Sequence, residues 1–99
     1  NYADIYIISL DEKAIPYSFS IADKLRNKLG IKVICETLRR SMKAQLREAN
    51  KNHSKFTIII GEDEIKSNKV IIKNMEDGTQ IDASIDDIEN HFGVDYEYR

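Results

Sequence analysis

A lone cysteine, Cys35, excludes an internal disulfide and fits a reducing compartment. The two histidines, His53 and His91, stand far from each other and from Cys35, without the spacing of metal ligands, which argues against a zinc site. Four scattered glycines do not make a phosphate-binding loop. No apolar run approaches the roughly 20 residues needed to span a membrane. No signal peptide precedes the first strand pattern, and the chain opens on Asn1 without an initiator methionine, so it reads as a domain cut from a longer protein. Internal repeats, low-complexity stretches and linkers are missing too. No Ser/His/Asp or Cys/His constellation is arranged for nucleophilic work, and no catalytic or metal-binding residue is expected.

What is present suits one small domain with one core, residues 1–99, of which 94–99 read as a frayed tail. The composition, 41% apolar and 32% charged, is that of an ordinary soluble domain. The net charge of −2 argues mildly against general nucleic-acid binding, but it conceals a segregation. Residues 39–55 carry Arg39, Arg40, Lys43, Arg47, Lys51 and Lys55 against the single acid Glu48, whereas residues 74–99 carry eight acids against Arg99. A basic segment on an acidic body points to a polyanionic partner.

The organising stretch is Phe56-Thr57-Ile58-Ile59-Ile60-Gly61. It is uncharged, rich in β-branched residues and closed by a glycine, as in a strand buried on both faces. Before it, residues 4–10 form a first buried strand with the polar exit Asp11-Glu12-Lys13. Pro16 opens a helix whose apolar positions are Ile21, Ala22, Leu25 and Leu29, and Gly30 terminates it. Residues 31–35 make a second strand. After the polar loop 36–40, Ser41 caps a second helix with core stripe Met42, Leu46 and Ala49. This β-α-β-α-β order implies parallel strands joined by right-handed crossovers. The pattern then changes. One helical turn at 62–67 precedes a strand at 69–74, a turn at Glu76-Asp77-Gly78, and a last strand at 79–83 with Ile81 and Ala83 facing one way. Ser84 and Asp87 resemble a capping box for a final helix with core stripe Ile85, Ile88 and Phe92, ended by Gly93.

Two features could carry chemistry. Arg40, Lys43, Arg47 and Lys51, at offsets 0, 3, 7 and 11, form a cationic ridge opposite the Met42 stripe, able to follow phosphates. Taken alone, this pattern is better read as a solvated helix face. Glu62, Asp63 and Glu64 lie beyond the carboxyl end of the buried strand, where open α/β sheets gather their sites. They could hold a hard cation or accept from base amino groups, or they could be solvated acids at a helix start. Asp4 and Asp11 flank the first strand and invite comparison with a phospho-receiver domain. That reading fails, because Gly61 stands where the third strand should end in aspartate and no lysine ends the last strand.

Residues 4–10, Ala22 to Val33, Arg40 to Asn50 with its run S-M-K-A-Q-L-R-E-A-N, Phe56 to Glu64, and Val70 to Met75 together resemble the anticodon-binding domain of histidyl-tRNA synthetases. The resemblance covers nearly all of residues 4–92. It implies a three-layer α/β/α domain with a five-stranded mixed sheet, order 2-1-3-4-5, strand 4 antiparallel. It implies a module of a class II synthetase, a cytoplasmic homodimer that activates histidine with ATP and Mg²⁺ on a catalytic core absent from this chain. Its partners would be the tRNA(His) anticodon stem-loop and that core, with no cofactor in the domain itself and no membrane contact. By position, Glu64 and Lys73 fall where relatives face the anticodon. Glu36, Arg39 and Arg40 occupy the anticodon-side loop, and this loop departs from the threonyl and prolyl relatives. Lys43 and Arg47 would contact phosphates. The alternatives are a synthetase-like regulatory domain, sensing uncharged tRNA or controlling histidine biosynthesis, and a dimerisation module.

Overall fold

Alternating apolar runs and amphipathic segments resolve into a sheet sandwiched between helices. The computed structural model describes residues 3–36 and 40–92. Strands β1 (Ile5–Ser9), β2 (Val33–Cys35), β3 (Phe56–Ile60), β4 (Lys69–Asn74) and β5 (Gln80–Ser84) form one sheet in the order β2-β1-β3-β4-β5. The expected topology is therefore present. β1 is parallel to β2 and β3, while β4 runs antiparallel to both β3 and β5.

Helix α1 (Ile15–Leu29) follows a short 3-10 turn at Glu12–Ala14. Pro16 sits in its first turn, where a missing N–H costs nothing. Gly30 ends it in the left-handed region, φ 64°, with its N–H on the Arg26 carbonyl. Leu25, Ile21 and Ala22 pack on one sheet face with Ile5, Ile7, Ile58, Ile60, Val70, Ile72, Ile88 and Phe92. The opposite face is thinner. There helix α2 (Met42–Lys51) lays Ala49 and half-buried Leu46 against Tyr6, Ile8 and Ile59. A third helix, α3 (Glu62–Ser67), starts directly after Gly61.

Three expectations need correcting. Met42 is not a core residue; it is 45% exposed. The buried stripe of α2 runs through Gln45, Ala49 and Asn52, and Gln45 already lies over Ser9, the last residue of β1. Met42 is one turn further out, about 4.5 Å along the axis, and overhangs the rim. Ile81 does face the same way as Ala83, as expected, and on the edge strand it is 53% exposed. Residues 85–92 do not form a regular helix. They make successive i→i+3 turns, such as Asn90 N–H to Asp87 O at 2.9 Å and His91 N–H to Ile88 O at 3.2 Å, with helix only at 90–92. The expected capping box is displaced as well, since the Ser84 hydroxyl takes the Asp86 N–H rather than that of Asp87. Gly93 and the tail 94–99 lie outside the described residues.

Candidate nucleic-acid interface

Three parallel strands end at one rim, so the loops after β1, β2 and β3 converge there. A cleft of about 290 Å³ opens at that rim, lined by Ser9, Leu10, Asp11, Glu12, Ile15, Glu36 and Arg40. Asp11 builds one wall. One carboxylate oxygen accepts the Ala14 N–H at 3.2 Å and the other accepts the Glu62 N–H at 2.9 Å, tying the exit of β1 to the start of α3.

The other wall is a polar chain running out from the core. Glu36 is 6% exposed, and such a carboxylate is tolerated only when paired. The buried Tyr6 hydroxyl donates to Glu36 Oε1 at 2.9 Å, and the Arg40 guanidinium pairs with the same oxygen. Burial, followed by the bond to Glu36, pushes the Tyr6 phenol above the usual tyrosine range. The Glu36 carboxylate in turn raises the Arg40 guanidinium, which stays a cation. Gln45, fully buried, donates from Nε2 to the Ser9 carbonyl at 3.1 Å and to the Arg40 carbonyl at 2.8 Å. Its Oε1 is buried without a partner among the described residues, a liability of about 1–3 kcal/mol.

The sequence-predicted residues divide into three groups. Glu36 and Arg40 meet in the cleft wall. Glu64 borders the cleft: a Cβ added at Gly61 would lie 3.1 Å both from Glu64 Oε1 and from Leu10. Glu64 also has a local role, because its Oε1 accepts the Gly61 N–H at 2.8 Å, the half of a capping box that a glycine cap, having no side chain, leaves possible at the start of α3. Lys43 and Arg47 project from the exposed face of α2 and lead away from the rim together with Lys51. Arg40 is not on that helix. It precedes the Ser41 N-cap, whose hydroxyl accepts the Ala44 N–H, so the ridge begins in the loop rather than on the first turn.

Lys73 is not brought to Glu64. It pairs with Thr57, three residues before the end of β3, which puts it about 10 Å below the rim. Arg39 lies outside the described residues. Sequence reasoning passed over Tyr6 and Gln45. Gln45 left a signal, since it stands four residues before Ala49 and seven before Asn52, on the stripe facing the sheet. Among the described residues no three His, Cys, Asp or Glu side chains are grouped to hold a metal ion. None of the described helices is long and apolar enough to cross a membrane.

The anticodon binding domain family matches residues 4–93. The histidine–tRNA ligase of Thermoanaerobacter sp. (strain X514) is 48% identical over 86 residues, which are 87% of this chain and 20% of that protein. The histidine–tRNA ligase of Halalkalibacterium halodurans is 41% identical over 88 residues, again 20% of its length. The chain thus spans about one fifth of these relatives. Among solved structures, apo histidyl-tRNA synthetase of S. aureus superposes with a TM-score of 0.84 at 32% identity, over 92% of this chain and 26% of that one. The histidyl-tRNA synthetase of Nostoc sp. PCC 7120 gives 0.87 at 23% identity, over 96% and 23%, a likeness of fold.

Proposed function

The chain belongs to the anticodon-binding domain family, as the counterpart of that domain in histidine–tRNA ligases, and from this premise we propose that residues 1–99 act as one module that grips the anticodon stem-loop of tRNA(His). The catalytic core is not in these residues, so the module does no chemistry of its own. The whole ligase would activate histidine with ATP and Mg²⁺ on that core, as a cytoplasmic homodimer, and the module would hold the far end of the tRNA in register with it.

The observation that carries this reading is the adjoining of two unlike surfaces at one rim. The cleft offers carboxylates and a guanidinium fixed at its wall, and the exposed cations of α2 start beside it. Single-stranded bases splayed from a loop need edge partners and a cationic rail for their phosphates. Glu64, Glu36, Arg39 and Arg40 are assigned to the bases, and Lys43 and Arg47 to the rail. Lys73 would act separately, from the sheet face shared with Ile71.

Binding of tRNA to the full ligase, measured across a range of salt, tests the rail. Replacing Lys43 and Arg47 by glutamate should weaken binding to cognate and non-cognate RNA alike. It should also flatten the slope of log K against log salt by about 0.7–0.9 for each phosphate that is no longer neutralised. An unchanged slope would reduce the ridge to a solvated helix face.

A further inference from the structure

We propose that Tyr6 and Gln45 are positioning residues for RNA recognition: Tyr6 acts through Glu36 on the guanidinium of Arg40, and Gln45 acts on Arg40's backbone carbonyl, so that Arg40 is presented at the rim before RNA arrives. The proposal rests on the anticodon-binding role of the cleft and adds two residues that do not touch RNA.

Geometry carries it. Both donors of the Gln45 amide are spent on main-chain carbonyls from different parts of the chain, Ser9 at the end of β1 and Arg40 in the loop before α2. Flipping the amide would press its oxygen against two carbonyl oxygens, so its orientation is fixed. The result is a staple between the sheet rim and the residue preceding the helix cap. Leu or Met would fill a stripe position without an orphaned buried oxygen, and the polar choice is explained by the staple.

Tyr6 poses the same question from inside the sheet. Its ring belongs with Ile8, Ala49 and Ile59, a cluster that phenylalanine would complete equally well. The hydroxyl bonds Glu36, and Glu36 holds Arg40. A long flexible arginine loses rotamer freedom on binding, and a partner that has already fixed its guanidinium lowers that cost. The neighbouring Ser41–Ala44 cap anchors the other side of the residue.

The test is a double-mutant cycle in the full-length ligase, reading the Kd for cognate tRNA at fixed salt together with kcat at saturating tRNA. Tyr6→Phe keeps the packing and should raise Kd roughly three- to tenfold, the size expected for one ordinary hydrogen bond acting at one remove from the RNA, with kcat unchanged. In an Arg40→Ala background the same substitution should change Kd by less than about 1.5-fold, because the route to RNA has been removed. Gln45→Leu should behave likewise. If it fails to fold, the Tyr6 cycle decides alone. Multiplicative losses in the double variant would overturn positioning while leaving Arg40 as an RNA contact. No effect of Arg40→Ala by itself would overturn the assignment of Arg40, and this proposal with it.

Discussion

Ile58 and Ile59 are neighbours on the central strand, yet their removal should not cost the same. Ile58 is completely buried, in register between Ile7 of β1 and Ile72 of β4, on the face sealed by α1 and the 85–92 turns. Ile59 points to the other face, where the cover is α2 and the half-buried side chains Leu46, Ile71 and Met75. Truncation to alanine removes the equivalent of three methylenes in each case, about 2.4 kcal/mol of transfer free energy at ~0.8 each. The difference lies in the cavity. Around Ile58 the fully buried neighbours have nowhere to move, and the cavity term adds roughly half as much again or slightly more, for about 4 kcal/mol in total. Around Ile59 the flexible Met75 and Leu46 can relax inward, holding the loss to about 2.5 kcal/mol. The gap of about 1.5 kcal/mol should appear as a separation of ~6–12 °C between the two melting midpoints for a domain of this size. Equilibrium urea unfolding of the 99-residue chain gives both values directly. An Ile59→Ala loss equal to or above that of Ile58→Ala would refute the two-face argument. Losses under about 1 kcal/mol for both would deny that this strand is central.

Two further outcomes are expected. In the full ligase, Glu64→Gln should lower aminoacylation efficiency for the cognate anticodon by about 1–3 kcal/mol while leaving the melting temperature nearly unmoved, because an amide oxygen can still accept the Gly61 N–H; equal losses on a tRNA with an altered anticodon would rule out base reading. In the turn before β5, the Thr79 N–H and hydroxyl donate to Asp77 at 2.9 and 2.7 Å and hold its carboxyl below the usual aspartate value. A depressed folded pKa means a contribution that is complete above the unfolded value, about 4, and is lost as the pH falls through the folded one; an NMR titration showing Asp77 at or above the ordinary value, or an Asp77→Asn variant with the same acid profile as the parent, would contradict it.

The strands and their order were legible because the signals were strong and mutually consistent. Phe56 to Ile60 is too short and too β-branched to be anything but a buried strand, and the crossover lengths leave few topologies. The helix faces were less legible. Periodicity assigned Met42 to the core because it is apolar and in phase, but phase does not say where a helix overhangs its sheet. Gln45 escaped for the complementary reason, being polar on the buried stripe. Its role depends on the carbonyl of Ser9, thirty-six positions away, which no local window includes. The segment 85–92 has helical spacing at Ile85, Ile88 and Phe92, but spacing of three followed by four suits consecutive tight turns equally well, and the i→i+3 bonds show which was adopted. Of the site, the loop 36–40 could be located and its residue types noted, whereas the Tyr6–Glu36–Arg40 chain required the pairing of β1 with β2, which sets Ile7 beside Cys35 and brings Glu36 alongside the strand.

At the far end of β1 the Ala3 N–H bonds the Asn52 carbonyl at 3.1 Å, and Asp4 receives the Lys32 N–H on its side chain at 3.1 Å. From Ile5 onward β1 is bonded to β2 on one side and to β3 on the other, so it has no freedom to pivot: a shift of its tip would have to shear two ladders at once. The cleft wall therefore stands on a clamped beam, and the rim keeps its shape for as long as the centre of the sheet does.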